Sequence, residues 1–226
     1  MKLTTEQVAQ IEETLVLNGL VYQDVKLELL DHIASEIEKK ICNETNSFEV
    51  AFKEVFKKWK PELRLSSYGL LLGRGYSGPK IIMDKIARYT KSRFWYITLG
   101  AIPLTLIVTA FIHFFNTETF TYFFTKALRT LFVTEVFLVT IAWIIIWKYK
   151  HKTTFSYLFK KRSILVFFQP LLLGVGLVPI KLINIETDVQ MGFVYVFFLI
   201  LLFFMIDFVL VFQHIRVIKK LSVPKS

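Results

Sequence analysis

One cysteine, Cys42, stands among 226 residues, so neither an intrachain disulfide nor a cysteine-based metal cluster can form. Histidine is equally scarce: His32, His113, His151 and His214 fall in separate regions. His-Glu-x-x-His, Gly-x-Ser-x-Gly and paired aspartates at catalytic spacing are all missing, which removes the usual peptidase and hydrolase signatures. The expectation is a chain that is not an enzyme, with no catalytic residue, no cofactor and no metal. The opening segment MKLTTEQVAQIEE is polar and amphipathic and does not resemble a signal peptide, so the first apolar helix is expected to serve as the insertion signal.

Acidic residues run out along the chain. Up to Pro79 there are twelve acids against ten bases, a balance of −2; from Lys80 onward six acids face eighteen bases, a balance of +12. Apolar residues make up 54% of the chain and gather in long runs after Arg93. Because the bases flank these runs and do not line a folded polar face, anionic lipid headgroups are their expected partners, and nucleic acid is not.

Four runs approach the roughly 20 residues needed to cross about 30 Å of hydrocarbon as helices. They cover Phe94 to Phe115, Leu128 to Trp147, Ser163 to Ile183 and Met191 to Gln213. On one side of these spans lie Lys80, Lys85, Arg88, Lys91, Arg93, then Lys148, Lys150, Lys152, Lys160, Lys161, Arg162, then Arg216, Lys219, Lys220, Lys225; the other side has only Lys126, Arg129 and Lys181. Cytosolic loops carry the excess of Lys and Arg, so fifteen against three puts both termini in the cytosol of a multi-pass protein, expected in the bacterial inner (cytoplasmic) membrane. Trp95, Tyr96, Trp147 and Tyr149 fall at that cytosolic boundary.

Few polar side chains enter the spans. Glu135 and His113 lie toward the outer side, Gln169 and Asp207 toward the cytosolic side. A carboxylate at the bilayer centre costs about 2.5–3.5 kcal/mol on insertion scales, so it faces protein or water. We read these four as interhelical hydrogen bonds, Asp207 to Gln169 and Glu135 to His113, each contributing about 1 kcal/mol. The alternative is a polar path for a transported species.

Before the spans, three amphipathic helices are legible. Thr4 and Gln7 fit a capping box opening the first, which carries Val8, Ile11 and Leu15 and stops at Gly19. The second runs from about Gln23 to Ile41 with Leu30, Ile33, Ile37 and Ile41 inward. The third has Asn46 and Glu49 as a second capping box, an inward stripe of Phe48, Ala51, Phe52, Val55, Phe56 and Trp59, and ends at Pro61. A bundle of about 60 residues is marginal for independent stability. The fold class is therefore all-α: a small cytosolic three-helix bundle followed by a four-helix transmembrane bundle. Its parts are 1–65 for the bundle, 66–93 for a glycine-containing joint and basic juxtamembrane helix, 94–213 for the spans and 214–226 for a basic tail.

Leu29-Leu30-Asp31-His32-Ile33 with Glu36 and Glu38, then Ser47-Phe48-Glu49-Val50-Ala51-Phe52, resembles the "LLDH…E…SFEEAF" pattern of HAAS-like helical domains over about residues 5–60. Such domains precede transmembrane helices in bacterial membrane proteins, and some occur beside PadR-type regulators. The resemblance implies a cytosolic signalling or protein-interaction module, and Asp31, His32 and Glu36 are its expected partner-binding residues. Glu28, His32 and Glu36 also share one helical face, a weak metal pattern that we read as solvated or partner-facing. Gly73, Gly75 and Gly78 spell G-x-G-x-x-G, but no βαβ unit surrounds them, so they read as a joint with Pro79 opening the next helix. The expected function is a regulatory or scaffolding membrane protein that binds a cytosolic or membrane protein partner, with homo-oligomers possible. The alternative is a small transport or permease subunit with a polar path near Asp207 and Glu135.

Overall fold

The computed structural model describes residues 2–44, 47–67, 76–115, 118–180, 182 and 190–222. The chain divides into two compact units. The first comprises Met1–Lys91, His151–Thr154 and Arg216–Ser226, the second Ser92–Lys150 and Phe155–Ile215.

The first unit opens with α1 (Thr5–Leu17), whose orphan amides are met by the expected capping box. Gln7 N donates to Thr4 Oγ1 at 3.3 Å and Thr4 N donates to Gln7 Oε1 at 2.9 Å. Asn18 closes the helix and Gly19 follows at φ 86°, the left-handed conformation that glycine adopts without a Cβ clash. Helices α2 (Gln23–Glu44) and α3 (Phe48–Leu63) follow. Ser47 holds the N-cap position of α3 without a side-chain cap bond, and Asn46 lies outside the described residues. Pro61 sits inside α3, which continues to Leu63. So close to a helix end, the missing proline amide removes only one bond of the last turn.

The core keeps the centre of each expected stripe and differs at its edges. Ile11 and Leu15 are buried on α1, Val25, Leu29, Ile33 and Ile37 on α2, and Ala51 and Val55 on α3. Leu30 and Ile41 are only half-buried, as are Phe48, Phe52, Phe56 and Trp59. The three phenylalanines instead pack on one another along α3, with ring centroids 5.5 Å and 4.6 Å apart.

Where a glycine joint was expected, β1 (Leu65–Ser67) pairs antiparallel with β2 (Ser77–Pro79). Gly73 and Gly75 lie outside the described residues, and Gly78 is a strand residue opposite Ser66. Helix α4 (Lys80–Phe115) starts directly after β2. Its first turns bury Ile82, Met83 and Ile86, so this unit is larger than the bundle of residues 1–65 that the sequence pattern suggests. The added burial is what a 60-residue bundle lacks.

The second unit contains the rest of α4 with α5 (Glu118–Lys148), most of α6 (Thr154–Gly174) and α7 (Met191–Ser222). Three of these helices, α4, α5 and α7, are long and apolar enough to cross a membrane, where four were expected. The exception is the third run. Its helix ends at Gly174, leaving residues 163–174 as about 18 Å of helix at 1.5 Å per residue. The cause is local. Gly174 abuts α5 so closely that a Cβ would lie 2.9 Å from Val133 Cγ2, Gly176 takes φ 87°, and Val178 N donates back to Leu172 O at 3.1 Å. That is a glycine-based helix stop, and Pro179 follows it.

Along α5 the buried residues are Leu128, Phe132, Glu135, Val139, Ala142 and Ile146, alternating steps of four and three. Such a 3.5-residue repeat keeps one seam against neighbouring helices. Phe132 meets Phe197 of α7 edge-on at 6.2 Å, in a cluster that also contains Ile112, Leu173, Ile180 and Leu182. Outward-facing Leu99, Leu106, Ile107, Phe137, Ile144 and Met205 are more than half exposed, an apolar surface suited to lipid.

Candidate functional site

Within the first unit, α2, α3 and the opening turns of α4 enclose a cleft of about 410 Å³. Val25, Glu28, Leu29 and His32 form one wall, Trp59 and Glu62 another, and Ile81, Asp84, Lys85 and Arg88 the third. The spacing explains the lining. Residues four apart share a helical face, so Val25, Leu29 and His32 point one way and Ile81, Asp84, Lys85 and Arg88 another.

Several cleft residues are committed internally. Lys85 Nζ is 3.1 Å from Glu28 Oε2 and 3.8 Å from Asp24 Oδ2. Lys80 Nζ pairs with Glu62 Oε1 at 2.8 Å. His32 and Arg88 are exposed at the cleft, and neither has a hydrogen bond or ion pair among the described residues. An imidazole and a guanidinium beside an indole wall therefore form its uncommitted chemistry. Together they can donate to an acceptor and stack on a planar group.

The three expected partner-binding residues separate here. Asp31 is exposed but does not line the cleft; His32 is exposed and does. Glu36 serves the fold. Lys58 Nζ donates to its Oε1 at 2.5 Å and Trp59 Nε1 to its Oε2 at 3.1 Å, tying α2 to α3. Partial burial pushes the Glu36 carboxyl up, and the bonds from Lys58 and Trp59 outweigh it, leaving the group below its ordinary 4.5. With Glu28 bound to Lys85 and Glu36 to Lys58, the Glu28–His32–Glu36 face offers no free carboxylate pair.

Asp24 carries no warning in the sequence. Its carboxylate accepts from Thr154 N at 2.8 Å and from the Thr154 hydroxyl, while Gln23 N donates to Lys152 O at 2.9 Å. Thr154 is the first residue of α6, so Asp24 supplies an N-terminal cap from 130 residues away, where a helix start favours negative charge. A partner that distant leaves no local pattern.

A second groove, of about 380 Å³, lies between α1 and α3. Phe52 and Phe56 floor it, and Lys53, Lys57 and Lys60 border it without an ionic partner among the described residues.

In the second unit neither expected hydrogen bond forms among the described residues. Asp207 is 1% exposed, both its oxygens lack a hydrogen bond among the described residues, and its ionic neighbour is Arg162, with Nε 3.7 Å from Oδ1. Gln169 is exposed instead. The guanidinium of Arg162 also lies 5.3 Å from the centre of the Phe203 ring. Arg162 sits in the third turn of α6 and is largely buried, whereas Gln169 points outward. Glu135 is 4% exposed with Oε2 unpartnered among the described residues, while His113 is exposed and rests edge-on against Phe114 at 6.0 Å. The seam position of Glu135 accounts for its burial.

No family model, no curated protein and no solved structure matches the chain.

Proposed function

We propose that the chain is a regulatory or scaffolding membrane protein whose cytosolic helical unit captures a protein partner. One observation carries this reading. The first turns of α4 supply Ile81, Asp84, Lys85 and Arg88 to the cleft, and the same helix continues into the first apolar run. A partner seated against His32 and Arg88 thereby touches the helix that enters the bilayer, which is the coupling a membrane-bound regulator needs. The resemblance of residues 5–60 to HAAS-like domains points the same way.

In this reading the protein crosses a bacterial inner membrane with both termini in the cytosol. The fifteen-to-three division of basic residues supports it. So does the make-up of the first unit, which gathers residues 151–154 and 216–226 with the N-terminal helices, the segments that the charge pattern assigns to one side. Three spanning helices alone would leave the termini on opposite faces. The fourth crossing then consists of α6 together with the segment after Gly174, where irregular backbone is tolerated only when buried in protein. Ile180 and Leu182, packed in the apolar cluster, fit that requirement.

The test is purification in mild detergent of wild type and a His32→Ala/Arg88→Ala variant. Both residues are exposed, so thermal stability should stay within about 0.5 kcal/mol of wild type. A specific co-purifying partner should be lost from the variant, and recovery equal to wild type would refute the cleft as the docking site. The transport reading has one observation in its favour, the hydrogen-bond deficit of buried Glu135 and Asp207. The Arg162 neighbour answers it at Asp207.

A further inference from the structure

The basic triplet Lys160–Lys161–Arg162 is divided among three tasks. Arg162 faces Asp207, Lys161 lies 6.0 Å from the centre of the Tyr157 ring, and Lys160 faces a groove of about 440 Å³ between α5 and α6. Trp143, Ile144, Ile146 and Trp147 of α5 and Ser163 and Ile164 of α6 complete the lining. The surface is almost wholly apolar. Its two polar side-chain groups besides the indoles are the Lys160 ammonium and the Ser163 hydroxyl, and the latter already donates to Lys160 O at 3.2 Å. Among the described residues no carboxylate lines the groove. The Lys160 ammonium and the Trp147 indole have no partner among the described residues. Trp143 is held in place by stacking on Phe167 at 5.8 Å.

A small polar metabolite needs several convergent polar groups to fix its orientation, and this groove has one cation. An inorganic anion has no use for the apolar floor. An amphiphile with one negative head and a hydrocarbon tail satisfies both parts. Trp147 and Lys160 also belong at the bilayer boundary, where indoles gather and where lysine meets anionic headgroups. We propose that this groove is a binding site for an anionic phospholipid, with the phosphate on Lys160 and the Trp147 indole N–H, and an acyl chain along Trp143, Ile144 and Ile164.

The inference rests on insertion of the chain in a bilayer, not on the partner-binding reading. Its test uses the two groove tryptophans as reporters. Trp59→Phe/Trp95→Phe leaves Trp143 and Trp147 as the remaining indoles, and this full-length protein is reconstituted into phosphatidylcholine vesicles. Dibrominated phosphatidylglycerol or dibrominated phosphatidylcholine is then added at equal mole fractions, and quenching is measured. The anionic phosphatidylglycerol should associate about five-fold more strongly, the effect of one basic residue near an anionic surface. Lys160→Gln should bring the two lipids to parity, and Lys160→Arg should restore the preference. Equal quenching in the Lys160 protein, or a preference that survives Lys160→Gln, would overturn the site. An absence of quenching by either lipid would overturn the insertion on which it rests, a result distinct from parity.

Discussion

Glu36 shows how one side chain can look like a binding residue and act as a strut. It lies on the exposed-looking face of α2, four residues after His32, yet Lys58 and Trp59 of α3 both donate to it. Its folded carboxyl is lowered from the ordinary 4.5, so the folded state holds its proton less tightly than the unfolded chain. The linkage then has one sign: the pairing stabilises fully above the ordinary carboxylate value and is lost as pH falls through the lowered one. Glu36→Gln should therefore melt below wild type at pH 7, with the gap closing as pH drops below about 4.5. Thermal melts of both proteins across that range measure it. A gap that is constant with pH would mean the carboxylate is not paired. Glu36, Lys58 and Trp59 were all visible in the sequence, but their meeting depends on how α2 and α3 are rotated. Ile33 and Ile37 face inward as expected, while Leu29 takes the buried place expected of Leu30, four residues before Ile33 on the same face. Phe52 and Phe56 misled for a related reason, since a helical stripe wider than its neighbour leaves large rings at the edge, where they stack on each other.

At the scale of elements, the apolar runs announced α4, α5 and α7 directly, because lipid-spanning length is a property of the run itself. The α6 run did not behave this way. Its composition is apolar enough, but glycines at 174 and 176 stop the helix, and the close approach of Gly174 to Val133 is a tertiary fact that no window over the run contains. Glu135 was legible as inward-facing from the cost of a carboxylate in lipid, whereas Asp207 was assigned the wrong partner by depth alone. The Arg162–Asp207 pair carries a prediction that joins α6 to α7. Removing one member leaves a charge in a poorly solvated place, and replacing both by apolar residues removes the problem. Arg162→Leu and Asp207→Leu should each lower the thermal midpoint in detergent, and the double variant should recover most of the loss. The coupling should be about 1–3 kcal/mol, the usual range for residues in contact. Strict additivity would show that the two do not interact. If Asp207 instead carries a transported cation or proton, Asp207→Asn will stay folded and abolish flux in proteoliposomes.

For the whole molecule, the central claim is that a helical unit on the cytosolic face is carried by a multi-pass membrane part. That proposal rests on the charge asymmetry of the chain, since orientation depends on counts of Lys and Arg and not on tertiary detail. The division of labour within the basic residues was not readable, because Lys85, Lys160 and Arg162 differ only in what folding puts beside them. The most direct measurement places single cysteines in a Cys42→Ser chain at Lys152 and at Thr119, both exposed positions. Thr154 would be a poor choice, being buried and bound to Asp24. In right-side-out vesicles an impermeant maleimide should modify position 119 and spare position 152, and inverted vesicles should reverse the pattern. Modification of position 152 in sealed right-side-out vesicles would contradict the account.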